Sequence, residues 1–241
     1  MAQLTGYASA FGTPLFVSKS TPDCQPGQRA MTADGRRFVY ALCGATATVA
    51  GKLYQTAAEL TNHDNLATAA AAVGDTVITV TLGNTAVTAN QYAGGTLAID
   101  TTPGEGYTYL ITSHPAAAGN ATLAVTVDPG VQVALTTSSR ATLVPNPYSA
   151  VIITPATTLT GAPVGVATYI IAANEYGWLQ TGGPCAVLID GAIAVGACCV
   201  APSSVAGAVL TDPANASVPI VGTMMVAGAT TEYNQVFLNL P

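Results

Sequence analysis

Charged residues are scarce in this chain: they make up 7% of its 241 residues, where about a quarter is usual. Six lysines and arginines stand against twelve carboxylates, for a formal net charge of −6. The chain has no run of basic residues, and aromatics, at 6%, are too few to stack against bases, so no nucleic-acid partner is expected. Every long apolar stretch is broken by Gly, Pro, Asn, Asp or Thr before it reaches about 18 residues, so no membrane-spanning helix is expected. Only two histidines occur, His63 and His114. Neither has a second His, Cys or Glu at ligand spacing, which leaves no zinc motif. P-loop, GxGxxG, GxSxG and CxxC patterns are all missing, and no cofactor is expected. Five cysteines, Cys24, Cys43, Cys185, Cys198 and Cys199, are odd in number and irregular in spacing. They read as reduced thiols packed like small hydrophobes, not as a disulfide framework. The first residues lack the basic and continuous apolar segments of a signal peptide, so the chain is expected to be made and kept in a cytoplasm.

Half the residues are hydrophobic, enough for a sizeable core, and they are mostly Ala, Val, Leu and Ile diluted with Thr and Gly. Helical periodicity is almost absent. Short runs of period-two alternation recur instead, with turn residues every 8–12 positions, which is the pattern of a β-barrel or sandwich. The stretch 77–82 is the clearest: Val77, Thr79 and Thr81 fall on one face, Ile78, Val80 and Leu82 on the other. The fold class is therefore all-β, a short-stranded barrel or sandwich body in two β subdomains with an extended N-terminal arm. Residues 1–36, punctuated by Gly and Pro, form the arm. Residues 37–146 form a first β subdomain, and Pro145-Asn146-Pro147 marks the boundary to a C-terminal β-barrel over 147–241. In that last part Gly182-Gly183-Pro184 and Asp190-Gly191 read as hairpin turns between strands at 176–180, 185–189 and 192–200. Trp178, the only tryptophan, is the core anchor of this meander.

Charge is unevenly placed. Residues 1–52 hold Lys19, Arg29, Arg36, Arg37 and Lys52 against Asp23 and Asp34, a net +3, and the remainder holds Arg140 against ten carboxylates, a net −9. A basic segment on an acidic body suits docking on an acidic surface, with Lys19, Arg29, Arg36 and Arg37 as the docking residues. Other chemistry is weaker. Cys43 with His63, or Cys185 with His114, has the residue types of a Cys–His hydrolase. Glu175 with Asp190, and Asp100 with Glu105, have those of a glycosidase pair, but Asp190 before Gly191 reads first as a turn residue. Trp178, Tyr107 and Tyr109 are the aromatics a carbohydrate- or receptor-binding β module would use as its platform. The two histidines read as surface-loop residues. In a strand, Cys198 and Cys199 point to opposite faces, one toward the core and one toward a second interface.

Several short stretches resemble virion proteins encoded near the major capsid gene of tailed bacteriophages. They are Thr32-Ala33-Asp34-Gly35-Arg36-Arg37-Phe38, Val49-Ala50-Gly51-Lys52-Leu53-Tyr54-Gln55, Ala89-Asn90-Gln91-Tyr92-Ala93-Gly94-Gly95 and Gly104-Glu105-Gly106-Tyr107, then Tyr176-Gly177-Trp178-Leu179-Gln180-Thr181 and Val221-Gly222-Thr223. Their order, spread over residues 28–240, is the signal, and the C-terminal rhythm of Gly and Val is similar to the small β-barrel of capsid cement proteins. The resemblance implies a decoration protein on the outer surface of a phage head, bound to the major capsid protein as a homotrimer and assembled in the host cytoplasm. It implies no catalytic residue. Another structural subunit of a virion or filament is the neighbouring alternative.

Overall fold

The computed structural model describes Leu4–Thr5 and residues 14–212 and 218–241. It is all-β, with 42% strand and 1% helix. Among the described residues seventeen strands follow one another: β1 Leu4–Thr5, β2 Arg29–Thr32, β3 Arg37–Leu42, β4 Leu53–Gln55, β5 Leu66–Thr68, β6 Val77–Thr81, β7 Thr96–Thr101, β8 Thr108–Ser113 and β9 Thr122–Asp128. Then come β10 Arg140–Val144, β11 Ile152–Ile153, β12 Pro163–Ala167, β13 Tyr176–Leu188, β14 Cys198–Val200, β15 Leu210–Thr211, β16 Ile220–Met224 and β17 Tyr233–Asn239. Among the described residues there is one short helical turn, at Thr61–His63.

The chain divides into two compact units, but not where the sequence suggested. One is Met1–Ala58 together with Pro147–Pro241; the other is Glu59–Asn146. The boundary at Pro147 stands, whereas the one at residue 37 does not. Strand β3 pairs with β13 along Tyr176–Gly182, and β4 pairs with β11 and β12, so residues 37–58 are built into the same sheet as the C-terminal half. Such pairings join segments roughly a hundred residues or more apart, and local sequence carries no trace of them.

The unit Glu59–Asn146 is a closed six-stranded barrel in the order β10-β5-β6-β9-β8-β7, with β7 pairing back onto β10. Alternation fills it. Ile78, Val80, Leu97, Ile111, Leu123 and Val125 are fully buried in its interior. Threonines and alanines cover the outside, as the opposed pairs Thr79↔Ala124 and Thr81↔Thr122 show. Closure pairs every strand and leaves no edge, which is how small β proteins avoid edge-to-edge aggregation. Strand β5 is the piece that closes it, and Leu135 joins through an isolated bridge to Ala71.

Both histidines are buried in this unit rather than exposed on loops. The Tyr92 backbone N–H donates to His114 Nε2 at 3.0 Å, and His114 Nδ1 lies 2.8 Å from the Pro115 carbonyl. His63 Nε2 lies 2.9 Å from the Thr85 carbonyl, and its Nδ1 2.6 Å from the Tyr92 hydroxyl. Carbonyls only accept and N–H groups only donate, so His114 carries a proton on Nδ1 and His63 carries one on Nε2, while the Tyr92 hydroxyl closes the link to His63 Nδ1. The cluster uses both rings as two-ended connectors inside an apolar barrel. Replacing His114 with Leu strands the buried Tyr92 N–H and is expected to cost the barrel about 1–3 kcal/mol. Chemical denaturation checks this, and His114→Gln, which can return an acceptor, should recover part of the loss.

The other unit is an eleven-stranded sheet running β1-β2-β3-β13-β17-β16-β14-β15, with β4, β11 and β12 forming a side branch that joins at β13. Its backbone is β13. Contrary to the hairpin read from Gly182-Gly183-Pro184, this strand runs unbroken from Tyr176 to Leu188. Gly182 pairs with both Arg37 and Asn239, because β3 leaves β13 and β17 joins it at that point. The register with β3 shifts between Gln180 and Gly182, a bulge. Its carbonyls converge on one side-chain amide: Gln180 Nε2 donates to Gly182 at 3.0 Å and to Pro184 at 2.8 Å. The glycines are needed for other reasons than a turn. Gly183 sits at φ +81, and a Cβ on Gly182 would come within 2.2 Å of Arg37 Nε.

Of the expected arm, residues 1–3 and 6–13 lie outside the described residues, and β1 pairs with β2. Residues 14–36 are extended but do not stand off the body. Strand β2 pairs with β3, and Lys19 bridges backbone to backbone with Tyr176. Leu15 and Ala30 are buried with Phe38, Tyr40 and Trp178. The segment is extended and packed as a layer on the sheet.

Candidate docking surface

The described residues hold no group of three or more His, Cys, Asp or Glu side chains able to hold a metal ion. Most of the residues considered for catalysis are engaged in other contacts. Cys43 Sγ lies 3.0 Å from the Thr46 carbonyl, and both ring nitrogens of His63 and of His114 are occupied as above. Burial pushes the Cys185 thiol up to about 12, far from a thiolate nucleophile. Glu175 accepts from the Ser18 hydroxyl, and Asp190 accepts from the Ser204 N–H at 2.8 Å and hydroxyl at 2.6 Å. These two carboxylates flank the opposite ends of β13, whose thirteen residues reach roughly 40 Å when extended. A glycosidase pair works within about 10 Å. Asp100 accepts from Thr142 at 2.8 Å.

No aromatic platform forms either. Trp178 is 0% exposed and Tyr109 1%. Tyr109 faces the barrel interior, where its hydroxyl accepts the Gln132 N–H, which leaves Tyr107 exposed without it. Trp178 packs edge-on against Tyr40 with ring centroids 5.0 Å apart, under the roof of Leu15 and Ala30. Its indole N–H is buried with no hydrogen-bond partner.

The four basic residues marked for docking occupy two places. Lys19 is paired with Asp23 at 2.7 Å, near the start of β13. Arg29, Arg36 and Arg37 belong to the β2–β3 hairpin. Arg36 pairs with Asp34 at 2.8 Å and lies over the Phe38 ring. A hydrogen bond from the Thr32 hydroxyl, aided by Arg36, holds the Asp34 carboxyl below its usual range. Arg37 reaches Asn239 Oδ1 at 3.3 Å across Gly182, and Arg29 lies 3.4 Å from the Tyr148 hydroxyl. The basic-segment-on-acidic-body layout also dissolves in three dimensions. The sheet unit carries five cations and six carboxylates, close to neutral, while the barrel carries Arg140 against six carboxylates.

What stands out is the outer face of β13, β17, β16 and β14. Cross-strand register sets Pro184, Phe237, Thr223 and Cys198 side by side in one row, and all four are exposed. Along β17 the outward positions are Tyr233, Gln235, Phe237 and Asn239. Phe237 is 51% exposed, Tyr233 50%, and Met225, beside Gln235, 43%. None of the four strands contains a charged residue. An exposed antiparallel face normally alternates toward polar side chains. A contiguous apolar, uncharged one marks an association surface, since charge depletion is the compositional sign of an interface core. A groove of about 390 Å³ runs along β13 at its margin, between Phe16 and Arg36 on one side and Tyr233 and Gln235 on the other. Sequence reasoning missed this surface because the outward residues become neighbours only once β13, β14, β16 and β17 are in register. The Tyr233–Leu240 alternation was its one local sign.

Cys198 lies on this face, whereas Cys199 points inward, its thiol raised to about 11 by burial. Thiol labelling of the native protein at neutral pH should modify Cys198 rapidly and Cys185 and Cys199 only as the protein opens, as residue-resolved mass spectrometry would read. The tyrosines give a matching alkaline signature. Burial raises Tyr92 and Tyr169 from 10 to about 12. The fold binds these protons more tightly than the unfolded chain. The resulting stabilisation is complete below pH 10 and is lost as the pH climbs toward 12. A tyrosinate absorbance titration should show late-ionising tyrosines that come into line in denaturant.

No family model, curated protein or solved structure matches the chain.

Proposed function

We propose that this chain is a structural virion protein that decorates the outer surface of a tailed-phage capsid by binding the lattice of the major capsid protein. The observation that supports the reading best is the uncharged outer face of β13, β17, β16 and β14, where Phe237 and Tyr233 are half exposed, a surface suited to lasting association. The motif order from residue 28 to residue 240 points the same way. A lattice offers many equivalent positions, and an oligomer that engages several together needs only modest affinity at each. Small side chains on the barrel exterior lose little rotamer entropy when ordered. Binding to a saccharide has less support, because two of the three platform aromatics are enclosed. The test is incubation of purified protein with phage heads that lack it. Saturable uptake at a fixed number of copies per head is the expected result. Binding to glycans with no uptake by heads would overturn the proposal.

A further inference from the structure

On the edge of β13 away from β17 a stretch of backbone is bare, and we infer that this stretch and the groove beside it bind a short, uncharged, extended peptide that adds to the sheet as a strand. At one end of the stretch Gly182 pairs with Arg37. At the other the Leu188 N–H donates to the Gly51 carbonyl at 2.8 Å. Backbone groups of an antiparallel strand turn to its two edges at alternate residues. Leu188 turns away from β17, and Ile189 turns toward it, donating to Glu232. By the same alternation Cys185 and Val187 bond to β17, while Pro184 and Ala186 face the bare edge. Proline has no N–H to leave unmet there, and the Pro184 carbonyl accepts from Gln180 Nε2. Ala186 has no strand beside it on this edge among the described residues. Its carbonyl has the Cys185 thiol at 3.6 Å, and its N–H has no acceptor.

The groove of about 390 Å³ is lined by Ala186 and lies within the size range of ligand sites. Two side chains in its lining have polar atoms without partners. Gln180 is 1% exposed; the Gly182 and Pro184 carbonyls, which only accept, fix its Nε2 and leave Oε1 with no donor among the described residues. The Thr168 hydroxyl is buried with no partner. Unmet polar groups in such a place are costly, and a ligand that meets them offsets the penalty. The flanks are held. Phe16 stands edge-on to Tyr169 with ring centroids 5.8 Å apart. Tyr233 lies on Gly51, where a Cβ would come within 2.4 Å of its ring. Arg36, the one charged residue of the lining, is paired with Asp34.

These features select a peptide. One residue of an added strand exchanges both N–H···O bonds with Ala186, as an antiparallel hydrogen-bonded pair does. A further peptide N–H donates to Gln180 Oε1, and the Thr168 hydroxyl, able to donate and accept, meets a carbonyl or hydroxyl. Main-chain bonds supply the affinity in strand addition and side-chain contacts the preference. Phe16 and Tyr233 favour apolar or small side chains, and a charged one would find no counter-ion. The groove follows the edge of β13 rather than its outer face, and the inference does not rest on the capsid reading.

Amide-resolved magnetic resonance with a capped pentapeptide of alternating threonine and valine tests it. In the free protein the Ala186 amide should exchange with solvent far faster than those of Cys185 and Val187 on either side. The peptide should shift the Ala186 resonance saturably and slow its exchange. The same peptide, N-methylated along its backbone, should bind about tenfold more weakly or worse. Thr168→Val should weaken binding about threefold to tenfold while raising stability in urea, because it removes a buried hydroxyl that has no partner. A merely structural role for Thr168 would not move the two in opposite directions. Ala186→Pro removes the donor on an edge that already carries Pro184, and should abolish binding with circular dichroism unchanged. An Ala186 amide as protected as its neighbours in the free protein, a peptide that shifts nothing, equal binding of the N-methylated peptide, or full affinity in Thr168→Val would each overturn the inference. A saccharide that saturates these amides where the peptide does not would overturn it as well.

Discussion

Replacing Trp178 with Ala should cost the sheet unit about 3–5 kcal/mol, the range for deleting a buried aromatic. The reason lies in the small core under the N-terminal segment. Trp178 is wholly enclosed by Leu15, Ala30, Phe38 and Tyr40. Those contacts come from β3, from β2 and from the loop before it, so the cavity cannot collapse without moving backbone that is itself paired. Domains have about 5–15 kcal/mol in all, and a loss of this size leaves the unit near the threshold of unfolding. Urea denaturation followed by far-ultraviolet circular dichroism reads the change, since the substitution removes the fluorophore. Trp178→Phe should cost much less. It keeps most of the apolar volume and removes an indole N–H that is buried without a partner.

Deleting residues 1–32 should unfold or aggregate the sheet unit rather than merely abolish docking. The deletion removes β1, β2 and Leu15. It strips the roof from Trp178 and exposes the free edge of β3, whose backbone groups β2 now satisfies. A free arm would be dispensable for folding; a packed layer is not. The barrel over Glu59–Asn146 has its own closed sheet and core, so in the truncated chain its amides should stay protected in hydrogen exchange while those of β3 and β13 exchange. Native-like protection of β13 after the deletion would contradict the packed-layer account.

The parts of the fold that sequence made legible were those carried by local pattern. Alternation at 77–82 placed β6 with its inward Ile78 and Val80, and the turn at Pro145-Asn146-Pro147 located one unit boundary. The misreadings share a physical cause, which is partnership across long sequence distance. Gly182-Gly183-Pro184 has the composition of a turn, and glycine serves a bulge, a close approach and a hairpin alike. Only the exchange of β3 for β17 as neighbour of β13 distinguishes them. His63 and His114 look like loop residues because Tyr92, which joins them, is 29 and 22 positions away. Lys19, Arg29, Arg36 and Arg37 look like a basic patch in a linear count. In the fold, Glu175, Asp190, Asp212 and Glu232 share their unit and nearly cancel them. The exposed face was least legible of all. Phe237, Thr223 and Cys198 form a row only through two pairings of β16, and each alone is an ordinary strand residue.

The most direct test of the central claim, that this is a capsid-decorating protein, is electron cryomicroscopy of phage heads saturated with the purified chain. The account predicts density at one repeating class of position on the outside of the shell, fitted by the eleven-stranded unit and the six-stranded barrel. Heads that remain bare at saturating protein, or protein bound without lattice register, would contradict it.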